Sequence, residues 1–316
     1  MSNWLFHQVA RICDAWGYAG RVYKNKCSIL GLSPFSGIKG VIFLQTVGRV
    51  FFQRRRILSY PEVPKPVLVI YKLFLFLGYR ATEDPSKFCH LGLKWRNAFD
   101  GNPYLPDEPV LKDFEKSWPG VKIINLKCND VSKKKVSEVF RKIFGYSLSI
   151  DPRKYNGKCV MKSDWNGLHV GQILDCPVLE IQDGFVYERL LNNEVGDGLV
   201  EDIRVPIFQG TIPFVYLKYR PVDQRLVDRS HSNKKVKIEE VKERLSPTEV
   251  AAIAQFTHEL GLDYGEIDVL RDKSDGKIYI VDVNNNPAGP PEPISTADAN
   301  TAIIRLAEAF EKTFAS

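Results

Sequence analysis

Oxygen-bearing side chains are concentrated near the end of the chain, inside two apolar runs. Residues 264–270 and 277–283 are rich in isoleucine and valine, and the short polar segment between them ends in Asp275-Gly276. This pattern predicts a β-hairpin. Because side chains alternate along a strand, one face of the hairpin would be apolar and pack in a core, while the other face would present acids.

The acidic face of this hairpin has the residue types of a divalent-cation site. A symmetric turn would place Asp268 opposite Ile280. Glu266 would then lie opposite Asp282, and Asn284 would share their face. Two carboxylates at a diagonal Cα spacing of about 7–8 Å, with an amide oxygen beside them, can share divalent ions. The alternative is an ordinary solvated sheet face, which is the commoner state of exposed aspartate and glutamate.

A lysine and a polar loop follow an upstream strand. Residues 158–161 are predicted to be a strand that ends at Lys162, and residues 163–171 form a polar loop with two glycines. Loop amides and an ammonium group both favour oxyanions, so Lys162 is a candidate phosphate contact. A solvated lysine is the alternative, and His169 in the loop fits a surface histidine better than a ligand or a base.

Three further cations lie in another predicted hairpin, made of residues 200–208 and 211–219. Arg204 lies within the first strand, while Lys218 and Arg220 close the second strand and share one face because side chains alternate. Cations on one layer, opposite a layer that carries acids, would hold a charged ligand between the two. Salt bridges across the protein surface are the alternative.

The bulk properties are those of a soluble globular protein. The 316 residues are 44% hydrophobic and 26% charged, and this length suggests about two domains. The six cysteines form no CxxC pair and no zinc-type spacing with the five histidines, so reduced thiols are expected. The chain starts without a signal-peptide pattern, and its most apolar run, residues 66–79, is too short to span a bilayer and contains Lys72. These features predict a cytoplasmic protein.

The net charge of +6 is unevenly distributed. Residues 1–66 carry ten lysines and arginines against Asp14 and Glu62, a net charge of +8, so the remainder is slightly acidic. Such a segment is compatible with anionic lipid, nucleic acid or an acidic substrate. We expect no nucleic-acid partner, and a solvated basic surface without any partner is the alternative to the other two.

Strands and helices alternate in the first half of the chain, which indicates a small α/β domain there. Helices are predicted at residues 4–16, 37–56, 67–77, 133–144, 246–260 and 297–314. Ser132 is the expected N-cap of the fourth helix and Gly145 its end, and Ser246 with Glu249 forms a capping box for the fifth. Further strands are predicted at residues 88–95, 121–126, 178–182 and 185–190, and a mobile charged loop at residues 223–244.

The segment LSPTEVAAIAQFTHELGLDYGEIDVLRDKSDGKIYIVDVNNNP, residues 245–287, resembles the end of the ATP-grasp superfamily, especially its ribosomal-protein glutamate-ligase branch. Upstream, CVMKSDWNG, VYERLL and EDIRVPIFQG look like that family's first nucleotide-binding strand and loop, its hinge strand and its "DiRv" hairpin, in the same order. The resemblance therefore covers residues 158–287.

This resemblance implies an α/β (α+β) ATP-grasp fold, in which two α+β subdomains sandwich the nucleotide behind a smaller α/β domain. The implied boundaries are 1–149 for the basic N-terminal domain and 150–316 for the ATP-grasp domain. The second would divide into a nucleotide-binding subdomain at 150–191 and a metal-binding subdomain at 192–316.

The resemblance also implies roles for individual residues. The cofactors would be ATP and Mg²⁺, with two ions expected and Mn²⁺ as a possible substitute, since such metals bridge phosphate oxygens and neutralise charge during transfer. The implied nucleotide contacts are Lys162 for the α- or β-phosphate and the backbone of Glu188, Arg189 and Leu190 for adenine. The implied contacts to the γ-phosphate or an acyl phosphate are Arg204 and Lys218 or Arg220. The implied metal ligands are Asp268, Asp282 and Asn284.

The chain departs from the family pattern at several positions. Asp282 stands where the family usually has glutamate, and Glu266 replaces a usually small residue. The 163–171 loop is less rich in glycine than most, and Glu194 is the candidate for the ribose-binding acid. Residues 1–145 carry no match of comparable specificity.

The implied activity is that of an ATP-dependent carboxylate–amine, or carboxylate–thiol, ligase that forms an acyl phosphate and releases ADP and phosphate. Its partners would be a small-molecule or peptide carboxylate and an amine acceptor, and the oligomeric state is open. One alternative is a kinase or phosphotransferase acting on a hydroxyl group. Another is a non-catalytic binding module that uses the basic N-terminal region.

Overall fold

Three separate β-sheets organise the described part of the chain. The computed structural model describes residues 2–32, 38–52, 55–105, 107–165, 171–226 and 232–315. The α-helices are α1 (Ser2–Ile29), α2 (Ile38–Val47), α3 (Val69–Leu77), α4 (Pro109–Ser117), α5 (Lys133–Phe144), α6 (Pro247–Leu260) and α7 (Thr296–Phe314). The strands are β1 (Arg56–Pro61), β2 (Arg80–Thr82), β3 (Leu91–Trp95), β4 (Ile123–Ile124), β5 (Gly157–Ser163), β6 (Gln172–Cys176), β7 (Phe185–Arg189), β8 (Glu194–Gly196), β9 (Leu199–Phe208), β10 (Val215–Pro221), β11 (Lys235–Glu239), β12 (Tyr264–Arg271) and β13 (Ile278–Asn284).

The large sheet is antiparallel and has the strand order β11-β10-β9-β12-β13, with β8 paired to the end of β9. Its strands alternate between apolar and polar residues, as expected of a sheet with one face on a core. The apolar face packs against α5 and α6 and includes Ile203, Val205, Leu217, Ile267 and Val269. We call the other face, which carries the charged residues, the polar face of the large sheet.

The small sheet has three antiparallel strands in the order β6-β5-β7. Its own core is slight and consists of Cys159, Met161 and Tyr187, with a few partly buried neighbours. A sheet with so little core depends on the elements around it for its position. It faces the polar face of the large sheet.

The third sheet is parallel, in the order β2-β1-β3-β4, and belongs to the N-terminal half of the chain. Helices α3 and α7 cover one of its faces, so the last helix of the chain shares a core with the first sheet. That core also takes in Phe208, Tyr216 and Tyr264 from one end of the large sheet. By contrast, α5 packs on the core of the large sheet. The boundary at residues 149 and 150 stays a prediction.

Capping residues fix the two helices beside the large sheet, as predicted. The Ser132 side chain accepts a hydrogen bond from the Lys135 amide, and α5 ends at Gly145 in the left-handed conformation. Ser246 accepts from the Glu249 amide at 3.3 Å, and the Glu249 carboxylate accepts from the Ser246 amide at 2.8 Å. This reciprocal capping box defines where α6 begins.

Several predicted elements differ from the structure. The first helix extends to Ile29, the second ends at Val47 before a π-helical turn at Gly48–Phe52, and β1, β2 and α4 were not predicted. Residues 178–182 form no strand, because β6 occupies Gln172–Cys176 and pairs with β5 in their place. The predicted second strand at 211–219 begins at Val215 instead.

The charged loop predicted at residues 223–244 is also wrong where the structure describes it. Strand β11 lies within it and forms the edge of the large sheet beside β10. Charged side chains are common on edge strands, where they discourage pairing with other chains, which explains why this strand looked like a loop. The α/β class is confirmed. Within the described ranges, no helix has both the length and the apolar character to cross a bilayer.

Candidate active site

The hairpin of β12 and β13 brings two aspartates directly opposite each other. Asp268 pairs with Asp282, and Glu266 pairs with Asn284. The predicted pairing of Asp268 with Ile280 is therefore wrong, because a β-bulge after Asp268 inserts one extra residue into β13. Directly opposed residues have Cβ atoms about 5 Å apart, closer than the diagonal arrangement that was predicted. The two carboxylates are therefore near enough to share a cation.

Asp268 is the centre of a buried ion-pair cluster. Arg204 donates to both of its carboxylate oxygens, at 2.9 Å from Nε and 3.0 Å from Nη2. Lys218 Nζ lies 3.0 and 3.2 Å from the same oxygens. Burial alone would raise the pKa of Asp268, but Arg204 and Lys218 outweigh burial and hold this pKa well below its usual range. Asp268 is therefore ionised at any physiological pH.

Asp282 keeps an open ligand position. Its Oδ1 has no hydrogen-bond partner among the described residues, and the nearest cation, Lys133 Nζ, lies 3.6 Å away. Asn284 Oδ1 accepts a hydrogen bond from the Asn286 amide at 3.0 Å and retains its second lone pair. Both side chains offer the oxygen atoms that a hard cation prefers.

Glu266 is buried on the same polar face, with only 3% of its side chain exposed. Its Oε2 has no hydrogen-bond partner within the described residues and lies 3.7 Å from Arg204 Nε. Burial raises the pKa of Glu266 to about 7, and the attraction of Arg204 offsets only part of this rise. A carboxyl group is thus held where its ionisation is costly.

Arg220 and Lys218 extend from the same face of β10, as their spacing requires. Lys218 contacts Asp268, whereas Arg220 Nη2 pairs with Asp202 at 2.7 Å. These cations lie on the same sheet as the acids, because β9 is hydrogen-bonded between β10 and β12. The prediction that they form a layer facing the acids is therefore wrong.

The small sheet provides the facing layer through Lys162. Its Nζ lies 2.7 Å from Glu188 Oε2 and donates to the Val281 carbonyl oxygen at 2.9 Å. Lys162 therefore links the two sheets directly at the bulge of β13. The Glu188 side chain is buried in this ion pair, an arrangement that the sequence did not predict.

The hinge segment after β7 is already hydrogen-bonded in part. The Arg189 amide donates to the Leu148 carbonyl at 3.0 Å, and the Leu190 amide donates to the Lys158 carbonyl at 3.1 Å. The Arg189 side chain turns away to Asp272 and Asp275.

A cavity of about 200 Å³ lies between the small sheet and the polar face of the large sheet. The predicted site residues that line it are Lys162, Glu188, Arg189, Leu190, Arg220, Asp268 and Asp282. Those outside its lining are Arg204 and Lys218, which adjoin it through Asp268, together with Asn284 and Glu194. Glu194 is exposed on β8, so nothing in this geometry connects it with a ribose.

Sequence reasoning missed part of the lining. The additional polar and apolar residues include Lys133, Trp165, Leu191, Asn193, Asp202 and Arg225. Asp202 carried a signal, since it lies two residues before Arg204 on the same strand face. Lys133 had none, because it enters from the first turn of α5, far away in sequence. Of the 163–171 loop, residues 166–170, including His169, lie outside the described residues.

No cluster of three or more histidine, cysteine, aspartate or glutamate side chains suited to a metal occurs in the described part of the chain. A cation at the hairpin would therefore be held by Asp268, Asp282, the Asn284 side-chain amide and oxygen ligands of a bound phosphate compound. Two carboxylates with phosphate oxygens are a common way of holding Mg²⁺, which keeps several waters and seldom has a cage made of protein alone.

The fold and the cavity define a mixed α/β protein with a charged site between two antiparallel sheets. No protein-family model matches the chain, and no curated protein sequence matches it.

Solved structures to which the chain is similar include several ligases. They include D-alanine–D-alanine ligase from Bacillus anthracis complexed with ATP, at 15% identity and a TM-score of 0.48 over 82% of this chain and 96% of that one. They also include L-amino acid ligase from Bacillus licheniformis, at 13% identity and a TM-score of 0.43 over 80% and 74%.

A third similar protein is the ATP-grasp ligase PsnB complexed with a minimal precursor, at 15% identity and a TM-score of 0.41 over 62% of this chain and 67% of that one. The chain thus spans about two thirds of the length of PsnB.

Proposed function

We propose that the protein is an ATP-dependent ligase of the ATP-grasp type, which joins a carboxylate to an amine through an acyl phosphate. The observation that carries this proposal is the cluster around Asp268. There, Asp268 is buried between Arg204 and Lys218 at the edge of a cavity between two sheets. Asp282 lies in direct cross-strand register with it and is partly exposed to that cavity. Such a cluster has both the oxygen ligands and the cations that phosphoryl transfer requires.

The hairpin residues fit Mg²⁺ as the metal. Asp282 has an oxygen without a hydrogen-bond partner among the described residues, and Asp268 lies directly across from it. Asp268 and Asp282, with Asn284 beside them, would hold one or two ions, and Mn²⁺ would suit the same oxygens. The bound metal would neutralise charge on the phosphate oxygens.

The nucleotide is expected to bind along the cavity, with its phosphates toward the hairpin. Lys162 would exchange its contact with Glu188 for a phosphate oxygen. The amides of Arg189 and Leu190 are already used, so the Leu191 amide, next along the hinge, is the better candidate for adenine. Ligand sites usually measure about 300–1,000 Å³. The cavity is smaller, so the small sheet would move away from the large one on binding.

The chemistry assigned to the cations follows from where charge develops. The substrate carboxylate attacks the γ-phosphorus of ATP, the bond to the bridging oxygen breaks, and ADP leaves. The amine then attacks the acyl carbon, and phosphate leaves as the amide forms and a proton is lost. Arg204, Lys218 and Arg220 would stabilise the transferred phosphoryl oxygens by charge-assisted hydrogen bonds in a site that excludes water.

A thermal-shift titration tests the nucleotide site. At 100 times its Kd, Mg²⁺-ATP should stabilise the protein by about 2.7 kcal/mol, which corresponds to roughly 5 °C in Tm for a chain of this size. Asp282→Ala should abolish the shift, measured against its own baseline. The matched control is Asp175→Ala, on the exposed edge of the small sheet, which should shift like the wild type. Equal shifts in all three proteins would refute the assigned site.

Product analysis tests the reaction class. With a carboxylate and an amine supplied as substrates, the proposal expects ADP and inorganic phosphate, and ¹⁸O from the carboxylate should appear in the phosphate. Release of AMP would exclude an acyl-phosphate route, and phosphate retained on a hydroxyl group would indicate a phosphotransferase. The carboxylate is expected to be a small molecule or a peptide, and the cytoplasm remains the expected location.

A further inference from the structure

Helix α2 exposes bulky apolar side chains that the described part of the protein does not cover. Ile38, Val41 and Leu44 recur at a spacing of three residues and are 59%, 54% and 70% exposed. Phe43 is also exposed, but it lies on another side of the helix and packs edge-on against Tyr23 of α1. The opposite side of the helix is fixed on α1 through buried Ile42. Within the described residues, Ile38, Val41 and Leu44 belong to no hydrophobic core cluster. We call Ile38, Val41 and Leu44 the apolar face of α2.

The charge around this face has a single sign. Residues 15–61, which include most of α1 and all of α2, contain eight lysines and arginines and no aspartate or glutamate. Exposed examples are Arg21 and Lys24 on α1, and Lys39 lies within α2 itself. In soluble proteins both signs are usually interspersed, so a run of 47 residues with cations alone is an unusual surface.

Part of this positive charge is used in ion pairs within the fold and does not contribute to the exposed surface. Arg49 and Arg55 both pair with Glu311 on α7, and Arg49 also donates to the Leu77 carbonyl at 3.0 Å. These arginines attach the N-terminal helices to the rest of the fold. The other cations of the segment, among them exposed Arg21 and Lys24 and half-buried Lys39, are thus the ones available to an external partner.

We propose that the apolar face of α2 docks the protein on an anionic lipid bilayer, with α2 lying along the membrane surface. An interfacial helix needs bulky apolar residues on one side and lysine or arginine around them, and this combination is what α2 and α1 present. Each cation near an anionic leaflet adds about 1 kcal/mol of attraction. The bilayer thus accepts both the aliphatic side chains and the charge.

Other partners match either the apolar side chains or the positive charge of this surface, but not both. A second copy of the chain would cover the apolar side chains, but it would bring two segments of charge +8 together. A nucleic acid would neutralise the cations, but it would leave isoleucine, valine and leucine side chains against a phosphate backbone. The lipid surface is the one partner whose chemistry fits the whole patch.

Vesicle co-sedimentation of the full chain tests the proposal. The probes are vesicles of pure phosphatidylcholine and vesicles containing 30% phosphatidylglycerol. Binding should require the anionic lipid and should weaken as salt is raised from 0.05 to 0.5 M, because added ions screen the attraction. Equal binding to both kinds of vesicle, or binding to neither, would overturn the proposal.

Two pairs of variants separate the apolar from the charged contribution. Val41→Asp with Leu44→Asp should reduce binding at least tenfold, whereas Leu179→Asp, at a leucine that is 97% exposed elsewhere, should not. Lys24→Glu with Lys39→Glu should also reduce binding tenfold or more. Lys116→Glu with Lys154→Glu, at exposed lysines outside the patch, should leave it unchanged.

A fold check and a sedimentation measurement complete the test. Circular dichroism should show unchanged helix content for each variant, so that lost binding reports the surface. Sedimentation velocity without lipid should find the same association state for the wild type and the Val41→Asp, Leu44→Asp variant. Self-association that this variant abolishes would overturn the proposal in favour of a second copy of the chain.

Discussion

The substitution Glu266→Gln should change the free energy of unfolding, relative to the wild type, more favourably at pH 8 than at pH 5. Glu266 is 3% exposed, and its Oε2 has no hydrogen-bond partner in the described residues. Its ionisation therefore creates a buried charge, which Arg204 Nε, 3.7 Å from Oε2, compensates only in part. Glutamine has the same shape and stays neutral. It therefore removes the ionisation and little else.

The size of the effect follows from the raised pKa of Glu266, about 7 in the folded protein against an ordinary value of 4.5. Between these values the folded state holds a proton that the unfolded chain releases, so the stability of the wild type falls as pH rises through this window. A shift of one pKa unit is equivalent to 1.36 kcal/mol, so the wild type loses about 3 kcal/mol of unfolding free energy across this window. Asp268 has the opposite, depressed pKa, so its contribution to stability is lost as pH falls from the ordinary aspartate pKa of 3.8 toward the lower folded value, outside the pH range of this assay.

The assay is urea unfolding of both proteins at pH 5 and pH 8, in EDTA so that no metal reaches the hairpin. The difference in unfolding free energy between variant and wild type should rise by about 2–3 kcal/mol from pH 5 to pH 8. Glu115→Gln, on the exposed side of α4, makes the same chemical change in solvent and should show almost no such rise. A difference for Glu266→Gln that is equal at the two pH values would refute the argument.

Two further substitutions test the scaffold of the site. Gly265→Ala would place a Cβ 2.6 Å from the Asn284 carbonyl oxygen, so urea unfolding should show a loss of about 1–3 kcal/mol, whereas Gly17→Ala on α1, with open space around it, should show none. Ser246→Ala removes the capping box of α6 and should cost about 1 kcal/mol; an unchanged urea midpoint would show that tertiary packing alone determines where α6 begins.

Local signals in the sequence predicted local structure well. The caps of α5 and α6 and the polar turn of the last hairpin depend on residues within a few positions of one another. They can therefore be recognised in the sequence as short motifs. The hairpin register was missed because a β-bulge is set by contacts of the neighbouring strands. Nothing in the two runs indicated that Val281 of β13 would be an extra, unpaired residue.

The location of the cations was predicted wrongly for a related reason. Alternation determines which face a side chain occupies, but it does not determine which strands become neighbours. Strand β9 pairs with β12, more than fifty residues further along the chain, and that long-range pairing places Arg204 beside Asp268. The sequence supplied the right residues and could not supply this adjacency. The entry of Lys133 from α5 was hidden in the same way.

The shared sheet changes how the proposed site would work. Four of the cations in or beside the cavity already have carboxylate partners on their own sheet: Arg204 and Lys218 with Asp268, Arg220 with Asp202, and Lys162 with Glu188. A triphosphate alone would have to displace these carboxylates and leave them unpaired, which is costly in a buried site. A divalent cation arriving with it satisfies Asp268 and Asp282 while the phosphates take over the arginines and lysines. On the proposed function, nucleotide and metal therefore bind as one unit, because each supplies the counter-charge that the other removes.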